Sequence, residues 1–546
     1  MPIGNDRRRG LVLRANEVFE STIEPKGASV LRFWGATRGL GDELDVRVSV
    51  EGAPVWERRL GTHEKWVSGE IRLPEDSRSE IPIRIETQAP LARHRDARFI
   101  FGAPRLLDLP QAEDGGAPNI VLYMIDTLRA DHTPMYGYPR NTMPRTAELS
   151  KNAIVFDRAY STAARTRPAT ASALTGLYPG RHHARLGRGI DFKEETLAES
   201  LRANGWSTWA FVANGNVFAR GFAFDQGFDL FQSIRGKRLD NHARTEEINE
   251  HLFPLIREHA DEPFFLYVHA IDPHTPYDPP PAFAGRFRDP NYSGPIDASD
   301  THSKVLALQV ETEADVEQVR ALYDEDILYQ DAMFAELLDA LQDAQVLDRT
   351  LVIVVADHGD EFHEHGGWEH GNRLFEEQIR IPFLVRLPES ESPTGRRVAQ
   401  PVSLADVSPT ILGLYGLEIP DPMQGEDRSG LVFGGASRTS PVYAEEVTNI
   451  PGGDLRTLID GPWKLIRRAS GDEDDPGTEY RLYNLDEDPE EVRDVSAREP
   501  GRVEKMRSHL LQRSASLASP LENTSAPVVL DERTKRQLQA LGYVVE

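Results

Sequence analysis

Two apolar runs in the middle of the chain predict buried strands that each end at an acidic residue. Residues 120–125 are apolar and stop at Asp126, and residues 352–355 are all β-branched and lead to Asp357 and His358. Continuous apolar runs of this length are typical of parallel strands that are covered on both faces. Because ligands bind beyond the carboxyl ends of such strands, the acids are predicted to meet at one cation. The alternatives are a helix cap for Asp126 and a solvated acidic loop after Asp357.

The period of the hydrophobic pattern changes along the chain and divides it into segments. Short runs of period two, interrupted by Gly and Pro, predict strands near the N-terminus, whereas apolar residues at spacings of three and four over 316–341 predict a long helix. Short strands are predicted over 440–500 and helices after residue 501. The predicted segments are an all-β sandwich accessory domain at 1–112, a linker at 113–118, an α/β domain at 119–435 and a C-terminal subdomain with terminal helices at 436–546.

The amino-acid composition limits which classes of molecule could bind the chain. The chain has 546 residues, 39% of them hydrophobic, and its 62 basic and 88 acidic residues give a net charge of −26, which argues against nucleic acid or an anionic membrane. It has no cysteine, so thiol nucleophiles and thiolate ligands are excluded. No run of eighteen apolar residues predicts a transmembrane segment. We expect a cytoplasmic protein as the chain stands, or a periplasmic or secreted one if a leader was removed, and leave the oligomeric state open.

A candidate nucleophile lies between the two acidic strand ends. Pro168 suits the first position of a helix that Gly176 ends, with Thr166 or Arg167 as its cap. Free amides and the dipole at a helix N-terminus favour negative charge, so Thr166 could ionise against a metal while a phosphate or sulfate is held there. The alternative is that Thr166 is only a capping residue.

The order of Asp126, the segment 166–176 and the motif Asp357-His358-Gly359 resembles the sulfatase family of the alkaline-phosphatase superfamily. Further matching stretches extend the resemblance over roughly 117–500, and they lie at 126–131, 174–179, 221–229, 269–277, 323–331, 404–412 and 482–489. The resemblance implies an α/β sandwich with a central mixed sheet and helices on both faces. It also implies a small C-terminal antiparallel sheet that is packed by a helix.

The chain departs from the sulfatase pattern at the nucleophile. Sulfatases carry a Cys or Ser that becomes formylglycine, whereas this chain has Thr166, the nucleophile type of the phosphodiesterase and phosphotransferase branches. The Lys-Trp-His element of sulfatases is absent, and residues 211–216 stand there with Asn214 as a candidate for substrate binding. Thr127 replaces a second acid, and His358 replaces the usual amide.

The resemblance implies a divalent metal held by Asp126, Thr166, Asp357 and His358. A nitrogen ligand favours Zn²⁺ or Mn²⁺ over Ca²⁺, which prefers oxygen. We expect one metal, with a second near Asp272, His274 and His370 as the alternative.

The predicted catalytic residues are Thr166, His274 and His370, and the predicted substrate-binding residues are Arg129, Arg167 and Asn214, although both arginines could be surface residues. The predicted function is a metal-dependent hydrolase or transferase of phosphate mono- and diesters, acting on a small molecule, a glycan or a lipid head group. The alternatives are a sulfatase and a catalytically inactive binding protein.

Overall fold

The structure is a computed structural model. It describes residues 2–3, 6–7, 10–23, 29–38, 43–60, 67–73, 80–90, 97–108, 118–185, 187–191, 193–217, 222–234, 236, 243–298, 301–389, 395–435, 439–446, 454–469 and 477–518. The predicted linker at 113–118, apart from Pro118, and the part of the predicted C-terminal subdomain after residue 518 lie outside the described residues.

The N-terminal segment forms two four-stranded antiparallel sheets that share one core. The sheet orders are β3-β10-β5-β8 and β4-β9-β6-β7. Inward side chains of both sheets, such as Phe33 and Phe99 of one and Val48 and Ile85 of the other, pack in a single cluster. The predicted β-sandwich is therefore confirmed. The strands of this segment are β1 Pro2–Ile3, β2 Asp6–Arg7, β3 Gly10–Arg14, β4 Val18–Ile23, β5 Ser29–Arg38, β6 Leu44–Val50, β7 Ala53–Leu60, β8 Val67–Arg72, β9 Ile81–Gln88 and β10 Arg98–Asp108.

The central sheet is ten-stranded and mixed. Its order is β1-β2-β15-β14-β16-β11-β17-β21-β12-β22, and the five strands from β15 to β17 in this order are parallel. β21 pairs antiparallel to β17, and β2 pairs antiparallel to β15 through Phe231 opposite Arg7. The strands are β11 Asn119–Ile125, β12 Ile154–Phe156, β13 Ala159–Tyr160, β14 Ser207–Val212, β15 Leu230–Ser233, β16 Phe264–Ala270, β17 Thr350–Ala356, β18 Glu361–Phe362, β19 Trp368–Glu369, β20 Arg380–Ile381, β21 Phe383–Arg386, β22 Arg396–Val398 and β23 Val402–Ser403. Of these, β13, β18, β19, β20 and β23 lie in two smaller sheets.

Helices cover both faces of the central sheet. Successive side chains of a strand point to opposite faces, and on β11 the Tyr123 ring packs against Phe334 whereas Met124 Sδ accepts from Thr170. The helix of Phe334 and the helix of Thr170 therefore lie on opposite faces, as the resemblance implies. The helices are α1 Pro144–Ser150, α2 Thr166–Thr175, α3 Pro179–His182, α4 Leu197–Ala203, α5 Thr245–Glu258, α6 Ser303–Gln309, α7 Glu313–Asp343, α8 Glu376–Ile379, α9 Val407–Leu414 and α10 Ser429–Val432.

The C-terminal segment is a four-stranded antiparallel sheet with one long helix. The strands β24 Val442–Glu446, β25 Asp454–Asp460, β26 Trp463–Ala469 and β27 Glu479–Asn484 are followed by α11 Pro500–Leu517. Leu510 of the helix packs with Tyr443 and Leu458 of the sheet. The predicted fold class is confirmed by this architecture, while the predicted domain boundaries stay a prediction. Within the described ranges, no helix is long and apolar enough to cross a bilayer.

Candidate metal centre and active site

The sheet order brings three strand ends to one place. β11 lies between β16 and β17, with Ile125 opposite Ala270 on one side and Ala356 on the other. All three strands are parallel, so the residues that end them meet at one edge of the sheet. Asp126 and Asp357 follow β11 and β17 directly, and His269 is the penultimate residue of β16.

Asp126, Asp357 and His358 form the buried centre of the site. Each offers a donor atom within 4.8 Å of the others, and all three side chains are fully buried. His358 Nε2 lies 3.8 Å from Asp126 Oδ1 and 3.5 Å from Asp357 Oδ2. The predicted acidic strand ends therefore do converge with an imidazole.

Buried oxygen and nitrogen atoms without hydrogen-bond partners show that this cluster fits a cation. Asp357 Oδ1 accepts from the backbone N–H of Thr127 at 3.1 Å and of His358 at 2.8 Å. In the described part of the chain, Asp126 Oδ1, Asp357 Oδ2 and His269 Nε2 are buried with no hydrogen-bond partner. Buried polar atoms are rarely left unsatisfied in native proteins, so a positive charge between these acceptors accounts for them.

Thr166 reaches the cluster from the first position of α2. Its Oγ1 lies 3.2 Å from His358 Nε2. His358 Nδ1 lies 3.1 Å from the carbonyl oxygen of Gly359, an arrangement in which Nδ1 carries the proton and the lone pair of Nε2 faces Thr166. Without a cation, the Thr166 hydroxyl can therefore donate a hydrogen bond to this nitrogen.

The start of α2 differs from the prediction. The helix begins at Thr166 with Arg165 as its N-cap, so Thr166 is not the cap and Pro168 is the third helical residue. A proline is tolerated there because the first helical N–H groups have no partner within the helix. Gly176 ends the helix at φ 65°, as predicted.

His370 and His274 lie together beside His358. The ring centroids are 4.2 Å apart for His358 and His370, and 5.2 Å apart for His274 and His370. His370 Nδ1 lies 2.6 Å from Asp360 Oδ1, and Tyr277 donates to the other oxygen of Asp360 at 2.7 Å. Burial opposes protonation of His370, but the Asp360 carboxylate outweighs it and raises the pKa of His370. An imidazole with a fixed orientation and a raised pKa therefore stands next to the cluster of Asp126, Asp357 and His358.

The three predicted substrate-binding residues have different surroundings. Asn214 lies in the centre, where its amide donates to Asp126 Oδ2. Arg129 is paired with Asp131 and Glu364, each at 2.8 Å. The Arg167 guanidinium donates to the carbonyl oxygen of Asn216 at 3.0 Å and lies 3.9 Å from the centroid of the Phe222 ring. The roles of all three in substrate binding stay predictions.

The structure adds His269, which the sequence analysis did not select as a site residue. His269 Nε2 lies 3.8 Å from Asp126 Oδ2 and 3.9 Å from Asp357 Oδ2. The available signal was an imidazole near the carboxyl end of a third apolar run, at 264–270. A histidine inside an apolar strand is usually a core residue, so this signal is weak without the sheet order.

The two carboxylates are electrostatically unfavourable without a cation. Burial raises the pKa of Asp126 to about 7, and burial together with the charge of Asp126 raises the pKa of Asp357 to about 8. Burial, reinforced by the charge of His370, holds the pKa of His358 well below its usual value. Burial also lowers the pKa of His269, to about 4.

We expect the metal-free protein to lose stability as the pH rises from about 5 to 8. Because the pKa values of Asp126 and Asp357 are raised in the folded state, the folded protein binds more protons than the unfolded chain in this range. The stabilisation is present below the unfolded pKa of about 4 and is lost as the pH passes the folded values. Thermal unfolding of chelator-treated protein across this range measures the slope. Asp357→Asn, which cannot titrate, is the control, and equal slopes for both proteins would contradict the expectation.

Two protein-family models match most of the chain, and the matched residues include the site. A protein-family model described as Sulfatase matches residues 118–417, and a second, described as N-sulphoglucosamine sulphohydrolase, C-terminal, matches residues 363–518. The first match includes Asp126, Thr166, Asp357 and His358. The second spans the C-terminal sheet and its helix.

Individual relatives agree with these matches. The chain is 27% identical over 447 residues to choline-sulfatase of Rhizobium meliloti, covering 71% of this chain and 84% of that protein. It is 24% identical to the ulvan-active sulfatase of Formosa agariphila, covering 64% and 72%. The solved structure of the phosphonate monoester hydrolase of Agrobacterium radiobacter superimposes with a TM-score of 0.60 at 21% identity, over 73% of this chain and 96% of that one. This structural similarity supports the α/β fold.

Proposed function

The chain belongs to the sulfatase family of ester hydrolases, and from this premise we propose that it hydrolyses phosphate mono- and diesters with Thr166 as the nucleophile. The observation that carries the proposal is the position of the Thr166 hydroxyl, 3.2 Å from His358 Nε2 at the edge of the buried cluster. A threonine has no route to the formylglycine of sulfatases. A hydroxyl at this position can instead attack phosphorus and form a phosphate ester of the protein.

The proposed cofactor is one divalent metal ion, held by Asp126, Thr166, Asp357 and His358. The unpartnered oxygens of the two aspartates support this set. An imidazole ligand favours Zn²⁺ or Mn²⁺ over Ca²⁺. When bound, the ion would neutralise charge on the ester oxygens and favour ionisation of the Thr166 hydroxyl.

The residues around Thr166 can carry the remaining steps. The N-terminus of α2 favours the anionic ester and the ionised hydroxyl, because its free amides and its dipole attract negative charge. The Thr166 hydroxyl gives up its proton to solvent, and its oxygen bonds to phosphorus as the bond to the leaving oxygen breaks. The imidazolium form of His370, which is favoured by Asp360, supplies a proton to the leaving alcohol. Water then attacks phosphorus and gives one proton back to His370, and the released Thr166 oxygen takes up a proton from solvent. An alcohol in place of water would make the reaction a transfer.

The proposed substrates are small anionic esters, including those on glycans or lipid head groups. The whole chain carries a net charge of −26, so local positive charge at the site has to attract the ester. A sulfate ester is the second candidate, and the named activity of the choline-sulfatase relative favours it. The buried convergence of the two aspartates, His358 and Thr166 argues against a binding-only protein, since unpaired buried carboxylates are costly without a function.

A matched set of aryl esters tests the substrate class. We expect kcat/KM for 4-nitrophenyl phosphate, its diester or a 4-nitrophenyl phosphonate to exceed that for 4-nitrophenyl sulfate by about tenfold or more, which equals about 1.4 kcal/mol of transition-state free energy. All four release the same alcohol, so the comparison isolates the transferred group. Thr166→Ala protein measures the background from contaminating enzymes. A preference for the sulfate ester would reject phosphorus as the reacting centre.

A further inference from the structure

We propose that His269 is a second imidazole ligand of the cation, in addition to His358. The proposal rests on the cation site of the proposed function but not on its nucleophile or substrate. His269 is fully buried on β16, and its Nε2 has no hydrogen-bond partner among the described residues. The nearest charged atoms are Asp126 Oδ2 at 3.8 Å and Asp357 Oδ2 at 3.9 Å.

These distances suit a shared cation better than a direct contact. A hydrogen bond from an imidazole to a carboxylate requires about 2.7–3.2 Å, so neither carboxylate is hydrogen-bonded to His269. Two ligand atoms that each lie about 2.0–2.2 Å from one metal ion are separated by about 3–4 Å. The separations of His358 Nε2 from Asp126 Oδ1 and Asp357 Oδ2, 3.8 and 3.5 Å, fall in the same range.

The other ring nitrogen of His269 has a partner that allows the protonation state a ligand requires. Tyr267 donates its hydroxyl proton to Met124 Sδ at 3.5 Å, and its oxygen lies 2.8 Å from His269 Nδ1. The oxygen can therefore accept from Nδ1–H, which leaves the lone pair on Nε2. Histidine ligands of metals characteristically donate their second N–H to a fixed partner in this way.

The two imidazoles lie nearest to different oxygens of Asp126. His358 lies nearest to Oδ1 of Asp126, whereas His269 lies nearest to Oδ2, and both approach Oδ2 of Asp357. A buried nitrogen without a partner destabilises the fold, and a cation bound between these atoms would remove that cost. A donor set of two carboxylates and two imidazoles strengthens the preference for Zn²⁺ or Mn²⁺.

Pulsed electron paramagnetic resonance of Mn²⁺-loaded protein tests the assignment. We expect nitrogen modulation from two imidazoles in the wild-type protein and from one in His269→Gln. The variant should also bind Mn²⁺ about 100-fold more weakly by titration, because a ligand is lost rather than a supporting contact. His358→Gln is the matched control and should likewise retain one coupled nitrogen.

The outcomes separate this inference from the proposed function. One coupled nitrogen in the wild-type protein overturns the role of His269, whether or not the variant folds. Equal Mn²⁺ affinity in wild-type and His269→Gln protein also overturns it. If the wild-type protein binds no divalent ion, the cation site itself fails, and the proposed function fails with it. Tyr267→Phe gives a further check, because loss of its hydroxyl should weaken Mn²⁺ binding while both nitrogens stay coupled.

Discussion

Thr166→Ala is expected to lower turnover of an aryl phosphate by on the order of a million-fold, the scale seen when a covalent nucleophile is removed. The alanine keeps the helix but removes the hydroxyl that lies 3.2 Å from His358 Nε2. Metal content should remain substantial, because Asp126, Asp357 and His358 are unchanged. The rate is measured with 4-nitrophenyl phosphate at saturating substrate.

Two further measurements make the result specific to a covalent route. Thr166→Ser keeps a hydroxyl at the same position and should retain part of the rate. After rapid acid quenching, mass spectrometry of wild-type peptides should find phosphate on Thr166, and it should find none in Thr166→Ala. A Thr166→Ala enzyme near the wild-type rate would show that the nucleophile has been assigned wrongly.

Asp357→Asn is expected to empty the cation site while leaving the fold in place. An asparagine oxygen can still accept from the N–H groups of Thr127 and His358, which now donate to Oδ1. Its amide group would then stand where the unpartnered Oδ2 lies and would direct N–H groups at the cation. A bound metal stabilises the transition state by several kcal/mol. Its loss should therefore lower kcat/KM by about a thousandfold.

Elemental analysis of purified protein measures this effect and identifies the metal. Wild-type protein should carry Zn or Mn, and Asp357→Asn should carry little of either. Asp331→Asn is the matched control: Asp331 is also a fully buried aspartate, but it accepts from Thr146 at the start of α1 and should not change the metal content. Stoichiometric Ca without a transition metal would contradict the assignment of His358 as a ligand.

The centre of the site was predictable because its residues follow the strongest patterns in the sequence. Uninterrupted apolar runs mark β11 and β17, and the polar residue that ends each run is the one that enters the site, Asp126 or Asp357. The position of Thr166 within its helix did not follow from the sequence. Pro168 is acceptable at the first or the third position of a helix, so it could not fix where α2 begins.

His269 depends on information that no local pattern contains. Only the order β16-β11-β17 shows that the end of β16 lies beside Asp126. The surroundings of the two arginines also depend on the fold. An arginine near a site motif suggests substrate binding, but Arg129 contacts Glu364 and Arg167 contacts Asn216, and both partners are distant in sequence. Among the N-terminal strands, β4 and β7 give weak sequence signals because most of their side chains are polar or exposed.

The pairing of β2 with β15 links the start of the chain to the central sheet. The first strands belong to the edge of the central sheet, and the chain leaves that sheet to build the β-sandwich before it returns as β11. In topological terms, strands that precede and follow the sandwich in the chain both belong to the central sheet. A segment that is tethered at both ends is restricted in its orientation relative to the sheet by two connections instead of one.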